Sequence, residues 1–130
     1  MNKAQKVVTG FIIVVVLIVV VLSFLYLAKN KQDTNLPSGI VLYYGETCPH
    51  CIIVENWIKD NNITQKINIT NKEAFANPIN GRELIAIGES CNLPKESLGA
   101  VPMIYSERKC YLGQDEAINF LKSKLNASSQ

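Results

Sequence analysis

Beyond its first 28 residues the sequence has no excess of positive or negative charge, and the chain has few histidine and cysteine side chains. Its 130 residues include one histidine, and beyond residue 28 the 11 basic side chains are matched by 11 acidic ones. Such a balance gives no electrostatic footprint for nucleic acid. Four cysteines are too few for a disulfide-dense mini-scaffold, and the chain has no internal repeats. Length and composition therefore predict one small globular domain with an appendage.

Charge is absent from a long run near the N-terminus. Val7 to Ala28 comprises 22 uncharged residues, mostly Val, Ile and Leu. At about 1.5 Å per residue, a helix of this length spans a hydrocarbon core of roughly 30 Å. A cleaved signal peptide would have a shorter apolar region and a small residue where Tyr26 stands. We therefore predict a single transmembrane anchor over residues 1–28. The positive-inside count, with the α-amino group included, favours residues 29–130 outside the cytoplasm.

The most informative motif is Cys48-Pro49-His50-Cys51. The apolar, β-branched and aromatic run 40–44 ahead of it predicts a buried strand. Apolar residues four apart behind it predict a helix that ends near Asn61. The motif then lies on the turn that opens the helix, where Pro49 fits the first turn. Cys48 would lie at the positive end of the helix dipole, which favours a thiolate.

The other elements follow from alternation, helical spacing and turn residues. We predict, in order, a linker over 29–39, a second strand over 63–69, a helix over 80–91, strands over 101–105 and 109–112, and a last helix capped by Asp115. A right-handed crossover would make the first two strands parallel. The folded domain is thus expected over 40–126, with a frayed tail over 127–130.

With this order of elements, the domain resembles the glutaredoxin branch of the thioredoxin fold. That is an α/β fold with a four-stranded mixed sheet and flanking helices. Besides the Cys-x-x-Cys motif, the resemblance rests on Val101-Pro102 before the third strand and on Gly113 and Asp115 before the last helix. It implies that Pro102 is a cis-proline facing the motif. It also implies that Val101 and Pro102 contact the substrate.

Two departures in sequence, together with the predicted membrane anchor, distinguish this chain from a typical soluble glutaredoxin. Gln114 stands where many glutaredoxins have a second glycine, and no basic residue lies just before Cys48. Both argue against glutathione binding, so no cofactor is expected, with glutathione kept as an alternative. The inner dipeptide Pro49-His50 is similar to that of DsbA-type thiol oxidants, although this chain has no room for their helical insertion.

A Cys-x-x-Cys pair beside a βαβ pattern is typical of thiol redox chemistry. Cys48 is the expected nucleophile, Cys51 the resolving thiol, and protonated His50 a stabiliser of the Cys48 thiolate. A closed zinc site needs four ligands, so no metal is expected. The sequence predicts a membrane-tethered thiol–disulfide oxidoreductase that acts on protein thiols and disulfides, on the oxidising or isomerising side. A membrane quinone-linked thiol oxidase is the expected partner.

Several alternatives stay open. Cys91 and Cys110 would form a structural disulfide in an extracytoplasmic domain, and otherwise inert thiols or a relay pair. The domain could instead be a non-catalytic thioredoxin-like binding module whose Cys-x-x-Cys is a locked disulfide. A further alternative is a cytoplasm-facing glutaredoxin that uses glutathione or carries a cluster.

Overall fold

The computed structural model describes residues 2–29 and 36–128, and its contacts divide the chain into two units, 1–35 and 36–130. The first unit contains helix α1, Lys3–Lys29. Its segment Lys3–Tyr26 contains an 18-residue stretch with a mean hydropathy of 3.2 and is long and apolar enough to cross a membrane. A signal sequence meets the same criteria of length and composition, so this helix does not by itself assign a topology. Residues 30–35 of the predicted linker lie outside the described residues.

The second unit is a four-stranded sheet flanked by three helices. The strands are β1 (Ile40–Tyr44), β2 (Ile69–Glu73), β3 (Met103–Ser106) and β4 (Lys109–Leu112), and the helices are α2 (Pro49–Asp60), α3 (Pro78–Ser90) and α4 (Gln114–Ser128). The strand order is β2-β1-β3-β4. β1 and β2 are parallel, while β3 is antiparallel to both β1 and β4. This mixed sheet confirms the predicted α/β, thioredoxin-like and glutaredoxin-like fold class.

Alternation along the central strands builds a separate apolar core on each face of the sheet. Leu42 of β1 packs in one cluster with Val54 of α2 and Leu121 of α4. The neighbouring Tyr43 packs on the other face, in a cluster with Ile87 of α3. The two cores hold α2 and α4 on one face and α3 on the other, and thereby fix where each helix begins.

The predicted position of the second strand was wrong. Residues Ile63–Gln65 form a 3-10 turn, and the strand runs over Ile69–Glu73 instead. Ile63 is fully buried in the α2/α4 core, so its alternation with later isoleucines reflects core packing from a turn. The actual strand is an edge strand with exposed polar residues. An edge strand of this kind carries little of the apolar alternation on which the prediction depended.

Other boundaries differ by a few residues. α3 begins at Pro78, two residues before the predicted start, because the Asn77 side chain caps it by accepting the N–H groups of Ile79 and Asn80. A proline is accommodated at the first helical position, where its missing N–H is not required. β3 begins at Met103 and not at residue 101.

The last helix also departs from the prediction at both ends. Asp115 lies within the first turn of α4 and is not its cap. The helix begins after Gly113, whose carbonyl accepts the Ala117 N–H at 3.1 Å. α4 extends to Ser128, so it continues into the predicted tail, of which residues 129–130 lie outside the described residues.

Candidate functional site

The Cys-x-x-Cys motif lies at the junction between β1 and α2, as the sequence predicts. The Cys48 N–H donates to the Gly45 carbonyl at 3.0 Å, which closes the turn after β1. Cys48 is the N-cap of α2, and its Sγ accepts the Cys51 N–H at 3.3 Å. Pro49 takes the first helical position and is exposed. The Cys48 sulfur therefore receives a backbone N–H at the helix N-terminus, the positive end of the helix dipole.

The two thiols of the motif have different surroundings. Cys48 is 9% exposed, whereas Cys51 is fully buried, and both are free thiols. Burial, followed by the hydrogen bond with Cys48, raises the pKa of Cys51 to about 12. Cys51 therefore stays protonated at neutral pH. Of the two, Cys48 alone keeps any exposure to solvent.

The segment before β3 completes one side of the site. The Val101–Pro102 peptide bond is cis, and the Cys48 Sγ lies 3.7 Å from the Val101 carbonyl oxygen. Pro102 in turn accepts the Gly113 N–H at 2.8 Å. Gly113 has φ +90°, a left-handed conformation that disfavours other residues. Together these contacts hold the start of α4 beside the proline.

A groove of about 540 Å³ opens at this junction. It is lined by His50, Val101, Pro102, Leu112, Gly113, Gln114, Asp115 and Glu116. The structure thus brings three of the predicted site residues, His50, Val101 and Pro102, to one surface. α4 contributes two acidic side chains to this lining, Asp115 and Glu116, and His50 is the one basic side chain in it. Val101, which lines the groove, also contacts the Cys48 sulfur through its carbonyl oxygen, so the groove lies next to the redox motif.

His50 makes a contact that the sequence analysis missed. Its Nδ1 lies 2.8 Å from the Oε1 of Gln114, and the Gln114 Nε2–H donates to the Asp115 Oδ1 at 3.3 Å. Gln114 was singled out only as a departure from the glutaredoxin pattern. Because 64 residues separate it from His50, no local pattern could have paired the two.

A second group missed by the sequence analysis supports the turn before Cys48. The Glu73 carboxylate accepts the backbone N–H groups of Phe75, Ala76 and Asn77 at 2.7–3.0 Å. Partial burial opposes ionisation, but these bonds, together with the Glu46 backbone N–H, lower the pKa of Glu73. A carboxylate at the end of β2 thus connects the loop before α3 with the turn that leads into the motif.

The Phe75 ring lies directly over the glycine that follows β1. A Cβ on Gly45 would lie 2.4 Å from that ring, closer than any stable non-bonded carbon–carbon contact, so a larger residue there would require the ring to move. The ring is 57% exposed although its backbone is held by Glu73. The signal in the sequence was the glycine itself, since an isolated glycine at a strand end marks a close approach.

The remaining two cysteines lie apart from the motif in the chain and are joined in the structure. Cys91, the C-cap of α3, and Cys110 of β4 form a disulfide with a Cα–Cα distance of 6.0 Å. Both pack against the α3 core. They fasten the end of a helix to the edge strand of the sheet.

The described part of the chain offers no evident metal centre. Within residues 2–29 and 36–128, no three His, Cys, Asp or Glu side chains gather closely enough to hold a metal ion. The reactive side chains that the structure gathers at the site are the two thiols, the imidazole of His50 and the neighbouring carboxylates.

Comparison with known proteins shows a similarity of fold. Neither the protein-family models nor the curated proteins compared with this chain give a match. Among solved structures, the glutaredoxin grx-1 from Archaeoglobus fulgidus is 15% identical to this chain with a TM-score of 0.48. The alignment covers 72% of this chain and 95% of that one. Glutaredoxin 1 from Francisella tularensis, complexed with cacodylate, is 20% identical with a TM-score of 0.45, over 67% and 95%. At these values the likeness assigns neither an activity nor a ligand to this chain.

Proposed function

We propose that the protein is a membrane-tethered thiol–disulfide oxidoreductase whose redox pair is Cys48 and Cys51. The observation that carries the proposal is the contrast within this pair. Cys48 is the N-cap of α2 and keeps 9% of its surface exposed, while Cys51 is fully buried one turn further along. An accessible sulfur backed by a buried thiol is the arrangement that an attacking and a resolving cysteine require.

The reaction transfers two electrons and two protons between a substrate dithiol and the Cys48–Cys51 disulfide. In the oxidising direction, a substrate thiolate attacks the Cys48 sulfur of the Cys48–Cys51 disulfide and Cys51 leaves as a thiolate that takes up a proton. A second substrate thiolate then attacks the substrate sulfur of the mixed disulfide and releases Cys48. The substrate gains one disulfide and the protein holds two thiols. Val101 and Pro102 border the path along which the substrate chain reaches Cys48.

Interactions that stabilise the thiolate of reduced Cys48 favour the oxidising direction. The Cys51 N–H bond to the Cys48 sulfur and the exposed His50 on the first turn of α2 both act in that sense. A stabilised thiolate raises the reduction potential, as the difference between about −120 mV for DsbA and about −270 mV for thioredoxin illustrates. An oxidant of this kind needs reoxidation, and α1 would place it beside a quinone-linked thiol oxidase in the same membrane.

Protein thiols are the proposed substrates, and no resident cofactor is required. The groove beside Cys48 is lined by Asp115 and Glu116, and glutathione carries two carboxylates. This charge distribution disfavours glutathione relative to a neutral or basic polypeptide segment. Together with the apolar helix α1, it supports a tethered enzyme that acts on protein substrates outside the cytoplasm.

Trapping of substrates tests the proposed roles. We expect the full-length Cys51→Ser variant to accumulate mixed disulfides in its native membranes when its Cys48 thiolate attacks substrate disulfides, because Cys51, the thiol that would displace the substrate from Cys48, is absent. These adducts should appear on non-reducing gels and disappear with dithiothreitol. The Cys48→Ser variant is the matched control and should form none. Adducts on Cys48→Ser alone would reverse the assignment.

A thiol titration separates the enzyme from a binding module with a locked disulfide. A redox-active pair should equilibrate with dithiothreitol and with a glutathione buffer, giving one reduction potential for Cys48 and Cys51. A disulfide that resists dithiothreitol in the native protein would contradict the enzymatic proposal.

A further inference from the structure

We propose that Gln114 is a positioning residue for His50 and thereby a determinant of the reduction potential of the Cys48–Cys51 pair. The inference rests on the proposed function and goes beyond it, because it assigns a role to a side chain outside the motif. Gln114 is the first residue of α4 and takes no part in thiol exchange itself.

The hydrogen-bond geometry fixes which nitrogen of His50 carries a proton. The Gln114 amide is oriented by the bond from its Nε2–H to Asp115, which leaves Oε1 facing His50; a carbonyl oxygen accepts, so this orientation makes Nδ1, at 2.8 Å, the donor. Nε2 takes no part in this bond. The exposed imidazole is thereby held at the groove by the start of α4. Without an anchor, a ring on the first turn of α2 would sample several rotamers.

The second bond of Gln114 adds a charge to this arrangement. Its Nε2–H donates to the Asp115 carboxylate at 3.3 Å, so the amide lies between an anion and the imidazole. Polarisation along such a chain makes Oε1 a better acceptor. A better acceptor stabilises the Nδ1–H bond of His50, and does so most strongly when the ring is protonated.

The backbone keeps Gln114 in place independently of its side chain. The Gly113 N–H donates to Pro102 at 2.8 Å, and the Gly113 carbonyl accepts from Ala117 at 3.1 Å. Residue 114 is therefore held beside the cis-proline by main-chain bonds. A side-chain substitution at this position should remove the contact with His50 without displacing the start of α4.

The consequence for the redox pair follows from electrostatics. His50 lies in the first turn of the helix that Cys48 caps, so a ring held in place there stabilises the Cys48 thiolate, and hence the reduced form, whenever it carries a positive charge. Loss of the Gln114 bond should release the ring and reduce this stabilisation. The protein would then become a weaker oxidant. The effect should require His50, since Gln114 acts only through it.

A double-mutant cycle on the full-length chain in detergent tests this dependence. The equilibrium constant for reduction by glutathione is measured for wild type, Gln114→Leu, His50→Ala and the double variant. Gln114→Leu should lower this constant about two- to tenfold, the range expected for one net hydrogen bond. In the His50→Ala background the same substitution should change nothing. Gln65→Leu, at an exposed position of the 3-10 turn after α2, is the matched control.

An equal effect of Gln114→Leu with and without His50 would overturn the proposal, and so would no effect in either background. Either result leaves the proposed function intact. A wild-type pair that fails to exchange with glutathione would instead contradict the function itself.

Nuclear magnetic resonance gives a readout independent of exchange. The chain has a single histidine, so in protein made without a histidine tag the imidazole nitrogen signals need no further assignment. Wild-type His50, when neutral, should show the Nδ1–H tautomer, and Gln114→Leu should shift it toward Nε2–H. A wild-type ring in the Nε2–H form would refute the geometry on which the proposal depends.

Discussion

The disulfide between Cys91 and Cys110 should contribute about 3 kcal/mol to the stability of the folded domain. The bonded residues are 19 apart in sequence. In the chain-entropy model, closing a loop of this size removes about 11 cal/mol/K from the unfolded ensemble, which corresponds to about 3 kcal/mol at 25 °C. The contribution arises in the unfolded chain, because reduction leaves the packing of both side chains against the α3 core largely unchanged.

The measurement can compare one sequence in two redox states. In a Cys48→Ser/Cys51→Ser background, Cys91 and Cys110 are the remaining thiols, so oxidised and dithiothreitol-treated samples differ only in this bond. Urea unfolding of the full chain in detergent can be followed by the fluorescence of Trp57, the single tryptophan, which packs against the α2/α4 core. Any cost of the serine substitutions is shared by both samples and cancels.

We expect the oxidised sample to be more stable by about 3 kcal/mol and to unfold with a slightly smaller denaturant slope. The slope should be smaller because the cross-linked unfolded chain exposes less surface. A difference below about 1 kcal/mol would refute the reasoning, since the model's loop term alone exceeds that value. Two free thiols at these positions in protein taken from its native compartment would equally contradict a structural disulfide.

Three further predictions follow from the site and the anchor. Iodoacetamide at pH 8 should modify Cys48 but not the buried Cys51 in the native reduced protein, and equal labelling by mass spectrometry would contradict the burial. The raised pKa of Cys51 means that the folded state holds its proton while the unfolded state loses it above about pH 8.5. The reduced protein should therefore lose stability as pH rises from there toward 12, by at most about 1.4 kcal/mol per unit, and Cys51→Ala should lose less. Finally, protease added to intact spheroplasts should digest residues 36–130 while a cytoplasmic marker survives, and full protection of the domain would exclude an extracytoplasmic location.

The elements nearest the redox motif could be predicted well because their signals are local. A five-residue apolar run followed by a glycine predicted β1. Apolar residues spaced four apart, with a proline in the first turn, predicted α2. Both sets of bounds lie close to those observed. In both cases the residues that determine the structure are adjacent in sequence. The position of Cys48 at the helix N-terminus followed from these two elements alone.

The position of the second strand could not be predicted because its residues are held by backbone pairing with β1 and not by burial in the core. β2 lies at the edge of the sheet, and its partner is β1, with Ile40 opposite Ile69. Thr70 and Asn71 face solvent, which removes the alternation that identifies a half-buried strand. Ile63, meanwhile, enters the core from a 3-10 turn. The apolar spacing in this region therefore reflects burial of Ile63 in the core and does not indicate where the strand runs.

The contacts that shape the site beyond the motif have a common property: they join residues that are distant in sequence through polar atoms. His50 meets Gln114 across 64 residues, and the Cys48 sulfur meets the Val101 carbonyl across 53. Hydrophobic periodicity predicts which face of an element is buried, but it carries no information about which polar side chain lies opposite. The family resemblance supplied the proline near Cys48 because many glutaredoxins share it. It could not supply Gln114, which departs from that pattern, so the residue proposed to tune the thiol pair became recognisable only when α4 was placed beside His50.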